Sequence, residues 1–129
     1  MGKNISPHVN IYKFPVTALS SITTRLTGLY LSGLFIAGGI YQFTDQKETL
    51  YDRYMKLSDI PQRLFNYSII FPITYHTYGG IRHFIWDKYP SLLVNKSVAR
   101  SSYILFSGSI FTTIMYEHFC IKKTNRNTF

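Results

Sequence analysis

The chain has 129 residues, a formal net charge of +8 and a single cysteine, Cys120. This length corresponds to one domain, and one cysteine excludes an internal disulfide or an internal metal cage built from cysteines. The basic residues stand singly at the ends of apolar blocks, so the flanks of membrane spans explain them better than a nucleic-acid interface does.

Residues 5–15 contain two prolines and no helical period. We therefore predict that residues 1–17 form an extended arm at the membrane interface. Three apolar blocks follow, each close to the length needed to cross a bilayer. They predict an all-α fold, a three-helix transmembrane bundle with helices at about 20–44, 64–87 and 100–120, followed by a polar tail at 122–129.

The alternative of a soluble helical bundle requires polar faces on these stretches, yet residues 26–44 carry no charge. Orientation in the membrane stays open, because the two sets of loops hold seven cationic residues each and the positive-inside rule then gives no preference.

On the first helix Ser21, Arg25, Gly28, Ser32 and Gly39 share one face. Small residues at this spacing allow two helices to approach closely in lipid. Two readings of the arginine remain open. It is either an interfacial anchor that reaches lipid phosphate, or a hydrogen-bond donor, together with the serine, to the carbonyl of a ligand.

The second helix carries a polar stripe. At about 100° per residue, Gly80, His83 and Asp87 fall within about 40° of His76, and Arg82 points well away from them. Ionisable groups in a membrane span normally face a protein interior or a water-filled cavity and have a function there.

The two histidines are seven residues, or about 10.5 Å, apart along the helix. They cannot both bind one haem iron, because axial ligands lie on opposite faces of the macrocycle; this chain would supply one ligand and a partner chain the other. Zinc is disfavoured, since no further ligands are near in sequence. A shared b-type haem, a proton or quinone site, and plain hydrogen-bonded packing all stay open.

Two further expectations concern the rest of the chain. The mixed-charge loop at 45–63 has the pattern of a short interfacial helix through Leu50, Tyr54 and Leu57. On the third helix, Ser107-Gly108-Ser109 offers a close-packing patch, and Glu117 is expected at the water boundary, without a special role.

Three segments of the sequence resemble a known family. They are Ser6-Pro-His-Val-Asn-Ile-Tyr12, Ser21-Ile-Thr-Thr-Arg-Leu-Thr-Gly28 and His76-Thr-Tyr-Gly-Gly-Ile-Arg-His-Phe-Ile-Trp-Asp87. Together they resemble the cytochrome b large membrane-anchor subunit of succinate dehydrogenase, respiratory Complex II, and its mitochondrial branch more than its bacterial one.

The resemblance implies three transmembrane helices in the mitochondrial inner membrane, with a bacterial inner membrane as the alternative. It implies a small anchor subunit as partner, with the iron–sulfur and flavoprotein subunits docked on the matrix side. It also implies haem b as cofactor and ubiquinone as substrate, with no succinate chemistry in this chain. The competing interpretation is a structural three-helix scaffold of another respiratory or transport complex, without haem.

The same resemblance assigns roles to individual residues. It makes His76 an axial ligand of haem b, and it places Ser21, Arg25 and Asp87 at the quinone. The haem pocket or its propionates would involve His83, Thr24 and Gly80. The family usually has histidine where this chain has Thr24, which cannot bring positive charge, so the affinity for haem or its potential is expected to differ.

Overall fold

The computed structural model describes residues 14–44 and 49–126, with side chains as far as Phe119. Every regular element in these ranges is helical, and the all-α prediction is confirmed. The elements are α1 (Val16–Gln42), α2 (Leu50–Met55), α3 (Asp59–Lys88), a short 3₁₀ turn (Pro90–Leu92) and α4 (Asn95–Arg126).

The three long helices form a bundle. Helix α3 packs against both α1 and α4, and α1 and α4 also touch each other. The start of α1, the end of α3 and the start of α4 lie at the same end of the bundle, because Thr24 lies against Gly79 and Arg82 donates to Ser102, whereas the end of α1 lies beside Phe65. Among the helices of residues 14–44 and 49–126, none combines the length and the apolar character needed to cross a membrane.

Small polar side chains fill most of the space between the helices. Tyr75 is fully buried, its ring lies 4.9 Å from that of Phe106, and its hydroxyl donates to Ser20 Oγ at 3.2 Å. The other buried groups are mostly hydroxyls that bond to their own helix and so need no partner across the interface. They are Thr27, Ser102, Ser109 and Thr113, each of which donates to a backbone carbonyl of its own helix.

Large apolar side chains point outward instead. Phe35, Leu29 and Phe84 are each more than 70% exposed, as part of a long series of exposed aromatic and aliphatic residues on all three long helices. Close packing through small residues with an apolar exterior is the arrangement that favours association of helices in an apolar environment.

The helix bounds differ from the predicted ones at several points. Helix α1 begins at Val16, so the last two positions of the predicted arm are helical, and residues 1–13 lie outside the described part. Helix α4 continues to Arg126, past residue 122 where the sequence predicts a polar tail. Pro72 lies buried inside α3, which runs through it without interruption.

The short helix predicted in the mixed-charge loop is present as α2, although it ends before Leu57. Thr49 and Asp52 form a capping box at its start: the threonine hydroxyl accepts from the Asp52 backbone N–H, and the aspartate accepts from the Thr49 backbone N–H at 3.1 Å. The Thr49 hydroxyl also donates to this carboxylate at 2.7 Å, which lowers the pKa of Asp52 below its ordinary 3.8.

Glu117 was expected at the water boundary, and this expectation is wrong. It is only 2% exposed, and Asn66 Nδ2 donates to its Oε2 at 2.9 Å. Tyr54 donates in turn to Asn66 Oδ1 at 2.9 Å. One hydrogen-bonded chain, from Tyr54 through Asn66 to Glu117, therefore joins α2, α3 and α4.

Candidate functional site

His76 is held by the backbone of the first helix. Its Nδ1 lies 3.0 Å from the carbonyl oxygen of Thr24. A carbonyl oxygen only accepts, so Nδ1 must carry the hydrogen and donate it. In the neutral ring the lone pair is then on Nε2, and His76 lies on the exposed surface of the bundle. This is the arrangement of a histidine prepared to bind a metal through Nε2.

The imidazole of His76 packs directly against Gly28 of α1. A Cβ at this position would lie 2.6 Å from His76 Cε1 and 3.1 Å from its Nδ1, which is closer than real Cβ contacts allow. Thr24 and Gly28 are neighbours on one face of α1, four residues apart. Together they determine where the ring lies and which nitrogen faces outward.

The two adjacent glycines of α3 have different surroundings. Gly79 is buried, and a Cβ there would meet the Thr24 side chain at 3.0 Å, so the absence of a side chain brings α1 and α3 close together. Gly80 is exposed and has open space at its Cβ position. It leaves the outer surface one turn beyond His76 free of side-chain atoms.

His83 and Asp87 lie further along the same outer face, and both are exposed. The ring of His83 meets that of Trp86 edge-on, with centroids 5.4 Å apart. The polar stripe therefore lies on the surface of this chain, and the protein interior expected around it would have to come from another chain. Arg82 is turned away from the stripe, as the helical geometry predicts, and is buried between α3 and α4.

Ser21 and Arg25 lie at the same end of the bundle. Arg25 is exposed and Ser21 is half-buried. Within residues 14–44 and 49–119 neither side chain forms a hydrogen bond or an ion pair, so the donors of both are available. The structure does not bring Arg25 into contact with Asp87, the third residue assigned to the same site.

Thr24 contributes through an atom that the sequence did not single out. Its hydroxyl donates to the carbonyl of Ser20 at 2.9 Å, within α1. Its own carbonyl holds His76, and its side chain contacts the position of Gly79. Any residue has a carbonyl, so side-chain chemistry could not reveal this role.

The residues present fit a haem-type ligand in two respects. One exposed histidine has a fixed tautomer that leaves the Nε2 lone pair for a metal, and a Cβ at Gly80 next to it would meet nothing within 4 Å. Sequence reasoning treated Gly28 only as a helix-packing residue. Its position in the same motif as Thr24 was the available signal, but the contact depends on the register of α1 against α3.

The remaining small residues on the face of α1 that carries Ser21 and Gly28 make little contact within the described chain. Gly39 and Ser32 are exposed, and a Cβ on Gly39 would meet nothing within 4 Å. On α4, Ser109 is fully buried and Gly108 approaches Tyr78, while Ser107 faces outward. Part of each small-residue patch is thus used inside the bundle.

The sequence is similar to proteins of one family. A sequence model of the family described as succinate dehydrogenase/fumarate reductase transmembrane subunit matches residues 1–116. The chain is 30% identical over 120 residues to the mitochondrial succinate dehydrogenase cytochrome b560 subunit of Dictyostelium discoideum, covering 87% of this chain and 62% of that protein.

Two other relatives show the same relationship. Identity is 34% over 93 residues to the mitochondrial cytochrome b560 subunit of Sus scrofa, covering 67% of this chain and 55% of the relative. It is 27% over 122 residues to the cytochrome b560 subunit of Reclinomonas americana, covering 89% and 84%. The chain thus spans less than two thirds of the length of the first two relatives.

Proposed function

Because the chain belongs to the family of succinate dehydrogenase/fumarate reductase transmembrane subunits, we propose that it is the cytochrome b membrane anchor of a mitochondrial succinate dehydrogenase. The similarity to mitochondrial cytochrome b560 subunits supports this assignment. The outward-facing apolar side chains of the three long helices support a place in the mitochondrial inner membrane.

In this proposal His76 is one axial ligand of haem b. The observation that carries it is the hydrogen bond from His76 Nδ1 to the Thr24 carbonyl at 3.0 Å. Such a bond fixes the tautomer of a metal-binding histidine and raises the basicity of the other nitrogen. A bound haem would supply one-electron redox chemistry. Gly80 gives it room, and His83 lies on the same face.

The second axial ligand then comes from a partner chain. His83 and His76 cannot share one iron, as the helical spacing shows, and both lie on a face that this chain leaves uncovered. We assign that face to the small anchor subunit. The iron–sulfur and flavoprotein subunits would dock at the end of the bundle that carries Arg25 and Asp87.

A ubiquinone site at this end would use Ser21 and Arg25 as donors to one quinone carbonyl. Both side chains are unpaired within the described residues. As the quinone is reduced, negative charge develops on its oxygen, and donors fixed in a water-poor site stabilise that charge strongly. Asp87 is the titratable group assigned to the same end.

The haem assignment is tested by replacing His76 with alanine in the assembled complex. We expect loss of a low-spin, two-histidine haem spectrum, while His118→Ala, which removes an exposed ring on α4 outside this face, retains it. An unchanged spectrum in His76→Ala would show that the ligand lies elsewhere.

The quinone assignment is tested with Arg25→Ala. Reduction of quinone should fall, while succinate oxidation with an artificial electron acceptor continues, because the flavoprotein and iron–sulfur subunits are unchanged. An equal loss of both activities would show that Arg25 serves assembly. A purified complex without flavin and iron–sulfur partners would support the scaffold alternative.

A further inference from the structure

Arg82 is a buried cation without an anion. It is only 9% exposed, and its Nη1 donates to Ser102 Oγ at 3.1 Å. Its guanidinium carbon lies 4.6 Å from the centre of the Trp86 ring. No carboxylate of residues 14–44 and 49–119 pairs with it, and its buried Nε has no acceptor there. A buried charge is expensive unless it is paired, so this site favours an anionic ligand.

An apolar groove lies beside this arginine, on the surface between α3 and α4. Its volume is about 370 Å³. Ser97 and Ser101 line it towards the start of α4, and Ile104, Leu105 and Gly108 continue it along the same helix. Arg82 bonds to Ser102, between Ser101 and Ile104, so the charge lies about halfway along the groove, with Ser97 and Ser101 on one side of it and the apolar walls towards Gly108 on the other.

Exposed cations lie near the end of the groove at the start of α4. Lys96 and Arg100 are on the turns of α4 that supply the two serines, and Lys88 ends α3. Cationic side chains near a membrane surface attract anionic lipid. A groove with a buried cation, serines and cations towards one end and apolar walls towards the other matches a phosphate group joined to an acyl chain.

We propose that this groove binds one anionic phospholipid, with its phosphate at Arg82 and one acyl chain along Ile104 and Gly108. A partner helix is a weaker candidate, because a helix in this groove would have to bring a buried carboxylate to the arginine. The proposed haem face is also on another side of α3: His76 contacts α1, and Arg82 contacts α4. The lipid site therefore does not depend on the haem assignment.

The test uses the assembled complex in vesicles of phosphatidylcholine with a minor share of phosphatidylglycerol. One lipid carries a photoreactive diazirine in an acyl chain, and peptide mapping locates the labelled residues. We expect the phosphatidylglycerol probe to label α4 around Ile104 at least tenfold more than a phosphatidylcholine probe with the same chain. Arg82→Gln should reduce that labelling to the level of the neutral probe.

A second variant keeps the charge and fills the groove. A Cβ on Gly108 has only ordinary contact, 3.9 Å to Tyr78, so Gly108→Leu extends into the space of the acyl chain and leaves the Arg82–Ser102 bond in place. It should abolish labelling even if Arg82→Gln fails to assemble. Gly39→Leu, in open space on α1, is the matched control.

Three results would overturn the proposal. They are equal labelling by the anionic and neutral probes, labelling that Gly108→Leu leaves unchanged, and cross-linking of this groove to a peptide of another subunit. The haem spectrum and subunit content of each variant are recorded in parallel, so a failure of the proposed haem site is distinguishable from a failure of the lipid site.

Discussion

Replacing Gly28 with alanine should displace the imidazole of His76. The new Cβ would lie 2.6 Å from His76 Cε1, whereas carbon atoms in ordinary contact are about 3.5 Å apart, so the ring must move by about 0.9 Å. If the motion is away from α1, it lengthens the bond from Nδ1 to the Thr24 carbonyl from 3.0 Å to about 3.9 Å, beyond hydrogen-bond distance.

The expected effect is on ligand binding rather than on folding. Loss of the group that orients a metal-binding histidine typically costs 10- to 100-fold in affinity. Alanine is meanwhile a better helix former than glycine by about 1 kcal/mol, so α1 itself is not weakened. We therefore expect Gly28→Ala to assemble with its partners and to hold haem 10- to 100-fold more weakly.

The assay is the haem-to-flavin ratio of the purified complex, together with the spectrum and the midpoint potential of the haem that remains. Gly33→Ala is the control, because it lies on the same helix and its Cβ would meet nothing within 4 Å. Full haem content with an unchanged potential in Gly28→Ala would refute the role given to this contact. Loss of the partner subunits themselves would point to a helix-packing role.

Two other predictions concern the opposite end of the bundle. Asn66→Ala removes the donor to buried Glu117 and should lower the free energy of unfolding of the complex, measured by chemical denaturation, by about 1–3 kcal/mol. The exposed Ser68→Ala should change that free energy by no more than about 0.5 kcal/mol. Equal effects of the two variants would contradict the hydrogen-bonded network around Glu117. The hydrogen bond from the hydroxyl of Thr49 lowers the pKa of Asp52 in the folded chain below 3.8. The carboxylate therefore contributes fully to the stability of α2 above that value, and this contribution is lost as pH falls through the folded pKa. Protection of the α2 amides from hydrogen exchange, measured relative to their intrinsic rates, should fall over that acidic range in the native chain and not in Asp52→Asn, and identical pH profiles would contradict it.

The sequence predicted the helices well because their signals are local. Long apolar segments bounded by charged or proline-containing stretches identify α1, α3 and α4, and a constant 100° per residue places His76 and Arg82 on different sides of α3. That relation holds in the structure because α3 remains one continuous helix through Pro72. Helix ends were less predictable, as α4 shows by continuing to Arg126.

The relation between elements could not be obtained from local patterns. Whether the polar stripe faced inward depended on which side of α3 the other helices cover, and they cover the side of Arg82 and Tyr75. Glu117 bonds to Asn66, about 50 positions away in the sequence, so the residues next to Glu117 in the sequence did not indicate that it is buried. The contact of Gly28 with His76 likewise depends on the register of two helices.

The division of α3 into two sides also separates the two proposed ligands. His76 and Arg82 are six residues apart, a rise of about 9 Å, and they contact different helices. Changes at sites this far apart without shared partners usually act independently. A haem held through α1 and a lipid held through α4 would then be lost separately, since α3 is the one described helix that contributes to both sites. Coupling between them would instead require α3 to shift as a whole, which the close contact at Gly79 opposes.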